Sequence, residues 1–178
     1  MRDYASLRNN PTRVLKNIVA SKPWLLAIIN AIYSNPGLTL EKLREVTGLV
    51  MGVLRRGVWW LTKYGVVEIK NNKVFVRAEY IKAVEELKYN YYCNMKNTHI
   101  VLLDKVYVVL IIRDGHLKYW SLPVEYYEKL TNYERTLGRI LSESEVAHAL
   151  GVSAGTAKKL IELKKLLEAC KTSISPAE

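Results

Sequence analysis

Thr39-Leu40-Glu41-Lys42-Leu43-Arg44-Glu45-Val46-Thr47-Gly48-Leu49-Val50-Met51-Gly52-Val53-Leu54-Arg55-Arg56 is matched, 103 residues later, by Ser142-Glu143-Ser144-Glu145-Val146-Ala147-His148-Ala149-Leu150-Gly151-Val152-Ser153-Ala154-Gly155-Thr156-Ala157-Lys158-Lys159. In register, Leu43 falls on Val146, Val46 on Ala149, Gly48 on Gly151, Leu49 on Val152, Gly52 on Gly155, and Arg55-Arg56 on Lys158-Lys159. Each copy reads as two short helices around a tight glycine turn, with a basic pair on one face of the second helix. Built twice in a chain of net charge +10, the pattern points to a polyanionic partner.

Composition permits this. A chain of 178 residues with 49% hydrophobic and 25% charged residues has the make-up of a folded protein with one or two small cores. The 27 Lys and Arg against 17 Asp and Glu, with a pI near 9.5, leave DNA, RNA and anionic membrane open on charge alone. The longest apolar run, Val106 to Ile112, is far shorter than the roughly 20 residues a bilayer requires, so no membrane partner is expected. Met1 to Ser21 mixes charge and Asn with its apolar residues, unlike a signal peptide, and a cytoplasmic location is expected. Cys93 and Cys170 lack paired spacing, which points to neither a zinc site nor a disulfide scaffold. His99, His116 and His148 have no metal-ligand spacing, and no phosphate-binding or dinucleotide fingerprint occurs, so neither metal nor cofactor is expected. The absence of Gln is a thermophilic bias, against which the many Asn weigh.

Outward from the first copy, Asn10-Pro11 predicts the start of a short helix striped by Val14, Leu15, Ile18 and Val19. Arg2, Arg8, Arg13 and Lys16 then form either a solvated face or a basic arm over residues 1–20. Over residues 21–77, Leu25, Ile28, Ile29 and Ile32 line a helix that stops at Asn35-Pro36-Gly37, and Thr39 caps the next. Leu54, Val58 and Leu61 stripe a third helix ending near Tyr64-Gly65. Val66 to Lys70 and Lys73 to Arg77 read as strands joined by Asn71-Asn72, a pair that tolerates a tight hairpin turn.

In the order and spacing of these elements, residues 21–77 resemble the winged helix-turn-helix domain of bacterial and archaeal transcription regulators. The resemblance implies that the third helix enters the DNA major groove while the hairpin, the wing, touches backbone or minor groove. It places Val50, Met51, Gly52, Arg55, Arg56 and Trp59 toward the groove and Lys70, Asn71, Asn72, Lys73 and Arg77 on the wing. Adjacent Trp59 and Trp60 cannot share one buried face, so one of them belongs at an interface.

Residues 78–122 are expected to hold a linking amphipathic helix, Ala78 to Met95, and a three-stranded meander. The helix stripe is Ile81, Val84, Leu87, Tyr91 and Met95; Tyr89, Tyr91 and Tyr92 beside Lys88 and Lys96 either pack on the core, pair with a second copy or stack on unpaired bases. The strands are His99 to Leu103, Val106 to Arg113 and His116 to Leu122, with Asp114-Gly115 a strong hairpin signal. The middle strand is apolar on both faces, so both must be covered, by this chain or by a second copy. A small-molecule sensor pocket stays open as an alternative, with no convergent polar cluster in the sequence to argue for it.

Over residues 123–170, Tyr127, Leu130, Tyr133, Leu137 and Leu141 stripe a helix, and Ser142 with Glu145 forms a capping box for the next. Residues 146–161 are similar to the helix-turn-helix of many repressors and recombinase-associated regulators, which implies that Ser153, Thr156, Lys158, Lys159 and Glu162 face the groove or its phosphates. A short tail, 171–178, follows a helix expected to run through Leu167. Gly151-Val152-Ser153-Ala154-Gly155 matches the G-x-S-x-G of the hydrolase nucleophile elbow, but a helix precedes it where the elbow needs a strand, so Ser153 reads as a helix cap.

The expectation is therefore a mainly α chain with small β parts (α+β): a winged helix-turn-helix, a central antiparallel β-meander and a C-terminal tri-helical helix-turn-helix. No catalytic residues are expected. The expected function is sequence-preferring binding of double-stranded DNA by a transcription regulator, as a homodimer. The competing reading is a winged-helix module that docks a protein partner in a replication, partition or transcription assembly.

Overall fold

The computed structural model describes residues 10–88 and 90–174. Arg2 and Arg8 of the expected arm and Tyr89 of the expected Tyr-rich helix lie outside the described residues. The chain is mixed α+β. In order it forms α1 (Pro11–Ser21), α2 (Leu25–Ser34), α3 (Leu40–Thr47), α4 (Met51–Lys63), β1 (Val67–Lys70), β2 (Lys73–Val76), α5 (Ala78–Lys88), β3 (Tyr91–Met95), β4 (Thr98–Leu103), β5 (Val106–Arg113), β6 (His116–Pro123), α6 (Val124–Leu137), α7 (Glu143–Leu150) and α8 (Ala154–Ile174). No helix among the described residues is long and apolar enough to cross a membrane.

Local chemistry sets most boundaries. Asn10 Oδ1 accepts from the amides of Thr12 and Arg13, and Pro11 occupies the first helical position of α1. Gly48 and Gly151 close α3 and α7 in the left-handed conformation, φ 72° and 63°, where a side chain would be strained. Asn71 and Asn72 both take positive φ, as a two-residue hairpin turn demands, and Asp114-Gly115 does the same between β5 and β6.

β1 and β2 form a two-stranded sheet, while β3-β4-β5-β6 form an antiparallel sheet of four. The four-stranded sheet divides the interior. Alternate residues of β5 point to opposite sides: Val108, Leu110 and Ile112 join a cluster with α1 to α5, whereas Tyr107 and Val109 join one with α6 to α8. Both faces of the central strand are thus covered within one chain.

Three expectations are corrected here. The helix expected over 78–95 stops at Lys88, and Tyr91–Met95 becomes β3, making the meander four-stranded. Tyr91 and Met95 fit a helical stripe, but they also lie two strand periods apart in a Tyr-rich run that favours extended backbone. Asn90 sits at the break, its carbonyl accepting from the Leu102 amide at 2.8 Å. Second, a register shift between Tyr91 and Cys93 turns these two residues to opposite faces: Tyr91 packs with the first cluster and Cys93 with the second. There Cys93 is disulfide-bonded to Cys170 of α8, with Cα atoms 5.7 Å apart, a pairing that sequence spacing did not indicate. Third, α8 continues to Ile174, into the expected tail. On α6 only Leu130 of the expected stripe is fully buried, while Tyr133 and Leu137 are exposed.

Candidate nucleic-acid interface

The turn between α3 and α4 is locked by one side chain. Thr47 Oγ1 donates to the Leu43 carbonyl at 2.7 Å and accepts from the Leu49 amide at 3.2 Å, while Leu49 is buried beneath. Thr39 Oγ1 caps α3 by accepting from the Lys42 amide. α4 packs closely on α2 at Gly57, where an added Cβ would lie 2.1 Å from Ile28 Cδ1.

Leu54, Gly57, Val58 and Leu61 form the buried face of α4. At helical spacing the opposite face carries Gly52, Arg55, Arg56 and Trp59, all exposed, and Lys63, which shares the stripe at four residues from Trp59. Lys63 does not belong to the repeated helix-turn-helix pattern, although its i+4 spacing was legible. Its ammonium lies 4.9 Å from the Trp59 ring centre, and Lys22 lies 4.4 Å from that of Trp60. Trp59 is 55% exposed, whereas Trp60 is half-buried and stacks on Tyr64, so Trp59 is the outward-facing one. Among the described residues no carboxylate lies within 4.0 Å of Arg55, Arg56 or Lys63.

The β1–β2 hairpin stands beside this helix, fixed by hydrogen bonds from the Val74 amide to Leu38 and from the Gly37 amide to Val74. Lys70, Asn71, Asn72, Lys73 and Arg77 are exposed. Lys70 pairs with Glu68 at 2.7 Å and Arg77 with Glu79 at 3.3 Å, both at the surface, where such pairs exchange readily with other partners.

Val50 departs from expectation. Its amide donates to the Gly115 carbonyl at 2.8 Å, and a Cβ on Gly115 would sit 2.6 Å from Val50 Cγ1. The β5–β6 turn therefore abuts the start of α4, which explains an apolar residue there. Met51 is half-buried and lines a depression with Glu41, Arg44 and Glu45. Val53 and Arg56 share a cleft of about 270 Å³ with Trp24, His116, Leu117 and Tyr119.

Across the sheet, the second turn repeats the geometry with different side chains. Ser142 and Glu145 form the capping box: the Ser142 amide donates to Glu145 Oε2 at 2.8 Å and the Glu145 amide to Ser142 Oγ at 3.4 Å. Arg139 grips the same carboxylate through both terminal nitrogens, at 3.1 and 2.7 Å. Together, Arg139 first, these bonds hold Glu145 down at about 2. Ser153 Oγ accepts from the Thr156 amide at 3.2 Å and lies 3.0 Å from the Thr156 hydroxyl. α7 precedes Ser153, so the strand of a nucleophile elbow is absent at that position. Lys158, Lys159, Glu162 and Lys165 are exposed on α8, while Lys164 pairs with Glu134 of α6 in a half-buried contact that also receives the Leu141 amide. Neither Lys165 nor the Glu134–Lys164 pair follows from the helix-turn-helix pattern.

Charge is distributed unevenly. Residues 10–77 hold 11 Lys and Arg against three Glu and no Asp; residues 124–174 hold eight against seven. One further group converges, contrary to expectation: Asn30, Asn94 and His99 meet in a cleft between α2 and the sheet. No protein-family model matches the chain, and no curated protein or solved structure matches it either.

Proposed function

We propose that the protein binds double-stranded DNA with sequence preference, as a transcription regulator, and that its N-terminal unit is a winged helix-turn-helix. The observation that carries this reading is the solvent face of α4, where Arg55, Arg56 and Lys63 share a face with exposed Trp59 and no carboxylate among the described residues lies within 4.0 Å of the three cations. A guanidinium can contact guanine or a phosphate with two hydrogen bonds at once. Because the β5–β6 turn covers Val50, bases are read from the middle of α4, by Arg55 and Arg56, while Lys73 and the Asn71-Asn72 tip act as the wing on the backbone. Lys118, exposed beside that turn, adds a further cation, whereas Arg113 on its other side lies 4.0 Å from the exposed Asp114 carboxylate. In the C-terminal unit Lys158 and Lys159 serve as point charges for phosphates.

Titration of purified protein against mixed duplexes at two salt concentrations tests this. With six to ten phosphates neutralised, affinity falls by about 10³ to 10⁵ between roughly 50 and 200 mM salt. No binding at low salt returns the chain to the protein-docking class. A docking face on the near-neutral C-terminal unit, and not on the winged helix, is offered by Tyr133, Leu137 and Ile140, which expose apolar side chains, Ile140 at 76%. The homodimer is proposed on the same patch, and light scattering that gives only the 20.4 kDa monomer at micromolar concentration excludes it.

A further inference from the structure

The exposed face of α4 holds one side chain whose chemistry differs from its neighbours. Arg55, Arg56 and Lys63 are cations, whereas Trp59, one turn beyond Arg55, is an apolar ring left 55% exposed. The ring is also held in place. It meets Trp60 edge to face, with centres 4.8 Å apart and planes at 75°, and Lys63 sits 4.9 Å from its centre; Trp60 in turn stacks on Tyr64. An indole fixed in this way has little rotamer freedom left to lose when a partner covers it.

The beginning of α4 is otherwise occupied. The Val50 amide donates to the Gly115 carbonyl, Met51 is half-buried and exposed Gly52 has no side chain, so the exposed side chains of α4 begin at Arg55. Along the helix axis Trp59 lies about 6 Å beyond Arg55, close to two base-pair steps of about 3.4 Å each.

Indole chemistry then selects the base. The ring is apolar, and its single polar group is a donor with no acceptor beside it. In the major groove only thymine offers a methyl group, and the adjacent O4 is an acceptor. Cytosine N4 and adenine N6 present donors that an indole leaves unpaired, and guanine offers acceptors without a methyl.

Resting on the reading of α4 as the helix that contacts DNA, we propose that Trp59 is a specificity-determining residue. Its ring packs on the C5-methyl group of a thymine about two base-pair steps from the guanine contacted by Arg55 or Arg56.

The full chain is first used to select its preferred duplex from a randomised pool. Each thymine of that duplex is then replaced by uracil, which removes the methyl group and keeps O4. At the thymine spaced from guanine as above, affinity should fall about fourfold, as the loss of one buried methyl gives. Trp59→Ala should bind the thymine and uracil forms equally, while Trp59→Phe, which keeps an apolar ring, should keep the discrimination. Circular dichroism checks that each variant folds; should Trp59→Ala unfold, the uracil series on the unaltered chain and Trp59→Phe decide. A preferred duplex without that thymine, equal binding of thymine and uracil at every position, or discrimination that survives in Trp59→Ala each overturns the proposal. A chain that binds no duplex, or binds all duplexes alike, refutes instead the reading of α4 on which the proposal rests.

Discussion

The two helix pairs, α3–α4 and α7–α8, match in the length of their first helix, in turn glycine and in offset and differ in the side chains they carry. α3 and α7 are each eight residues long, each ends at a left-handed glycine, and α4 and α8 begin at the same offset. Yet residues 10–77 carry almost all the excess charge, while residues 124–174 are close to neutral. The caps differ likewise. Thr39 is followed at the third helical position by Lys42, so the first unit lacks the reciprocal bond that Glu145 makes in the second. The second unit spends its charges internally, in Arg139–Glu145 and Lys164–Glu134, and is bolted to the sheet by Cys93–Cys170. Turn chemistry therefore repeats the shape, and charge distribution is what sets the two units apart.

The largest expected effect separates the units by stability. The disulfide closes a separation of 77 residues, so replacing both cysteines by Ala should cost about 4 kcal/mol through the freed unfolded chain. Hydrogen exchange should show the loss in α6 to α8 and β3, with α2 to α4 retaining most of their protection. Equal loss throughout would mean that the sheet welds the two units into one cooperative body.

Acid should also strike them in different windows. His99, whose packing joins the sheet to α2, has its folded pKa lowered from 6.5 to about 4, so the unfolded chain takes up the proton first. Its contribution is complete above pH 6.5 and is lost as pH falls toward 4, by up to about 3 kcal/mol. Glu145 in the second unit is lowered from 4.5 to about 2, so its contribution is complete above pH 4.5 and is lost between there and pH 2. Denaturant midpoints measured from pH 8 to 2 should fall in these two steps. His99→Gln should remove the upper one and Arg139→Ala shrink the lower; a single step unaffected by either breaks the assignment.

How much of this could be read beforehand follows from locality. Gly48, Gly151, Asn71-Asn72 and Asp114-Gly115 each dictate their own turn, so the repeat, both hairpins and most helix ends were legible. β3 was not, because Tyr91 and Met95 satisfy two periodicities and strand pairing with β4 decides between them. The Cys93–Cys170 bond depends on a register shift with no sequence mark, and the Val50–Gly115 hydrogen bond joins residues 65 apart in the chain. Asn30, Asn94 and His99 likewise meet only because α2 lies against the β3–β4 hairpin. Of the residues expected to face DNA, Arg55, Arg56 and Trp59 are exposed on one face as their spacing required, whereas Val50, Met51 and Thr156 are half-buried.

On the DNA side, replacing Arg55 and Arg56 by Ala should weaken duplex binding by about 10²-fold and flatten the preference among sequences, since guanidinium contacts to bases are worth roughly 1–3 kcal/mol each. Selection from a randomised duplex pool measures both effects. A weakened variant that keeps its preference would move base reading away from α4.

The smallest effect bears hardest on the comparison. Lys158 and Lys159 are exposed and unpaired among the described residues, but Glu162 shares their surface, and their unit lies across the sheet from α4. Ammonium groups on flexible stems suit phosphates better than base edges. Replacing both by Ala should therefore lower affinity by less than about tenfold, uniformly across sequences, and shallow the salt slope by about 1 for each phosphate no longer neutralised. Binding isotherms at several salt concentrations, on preferred and scrambled duplexes, give affinity, preference and slope together. An unchanged slope would remove the C-terminal unit from the DNA altogether and leave its exposed Tyr133, Leu137 and Ile140 as its working surface. Loss of preference in this variant, with preference intact when Arg55 and Arg56 are replaced, would reverse the two roles and make the near-neutral unit the reader.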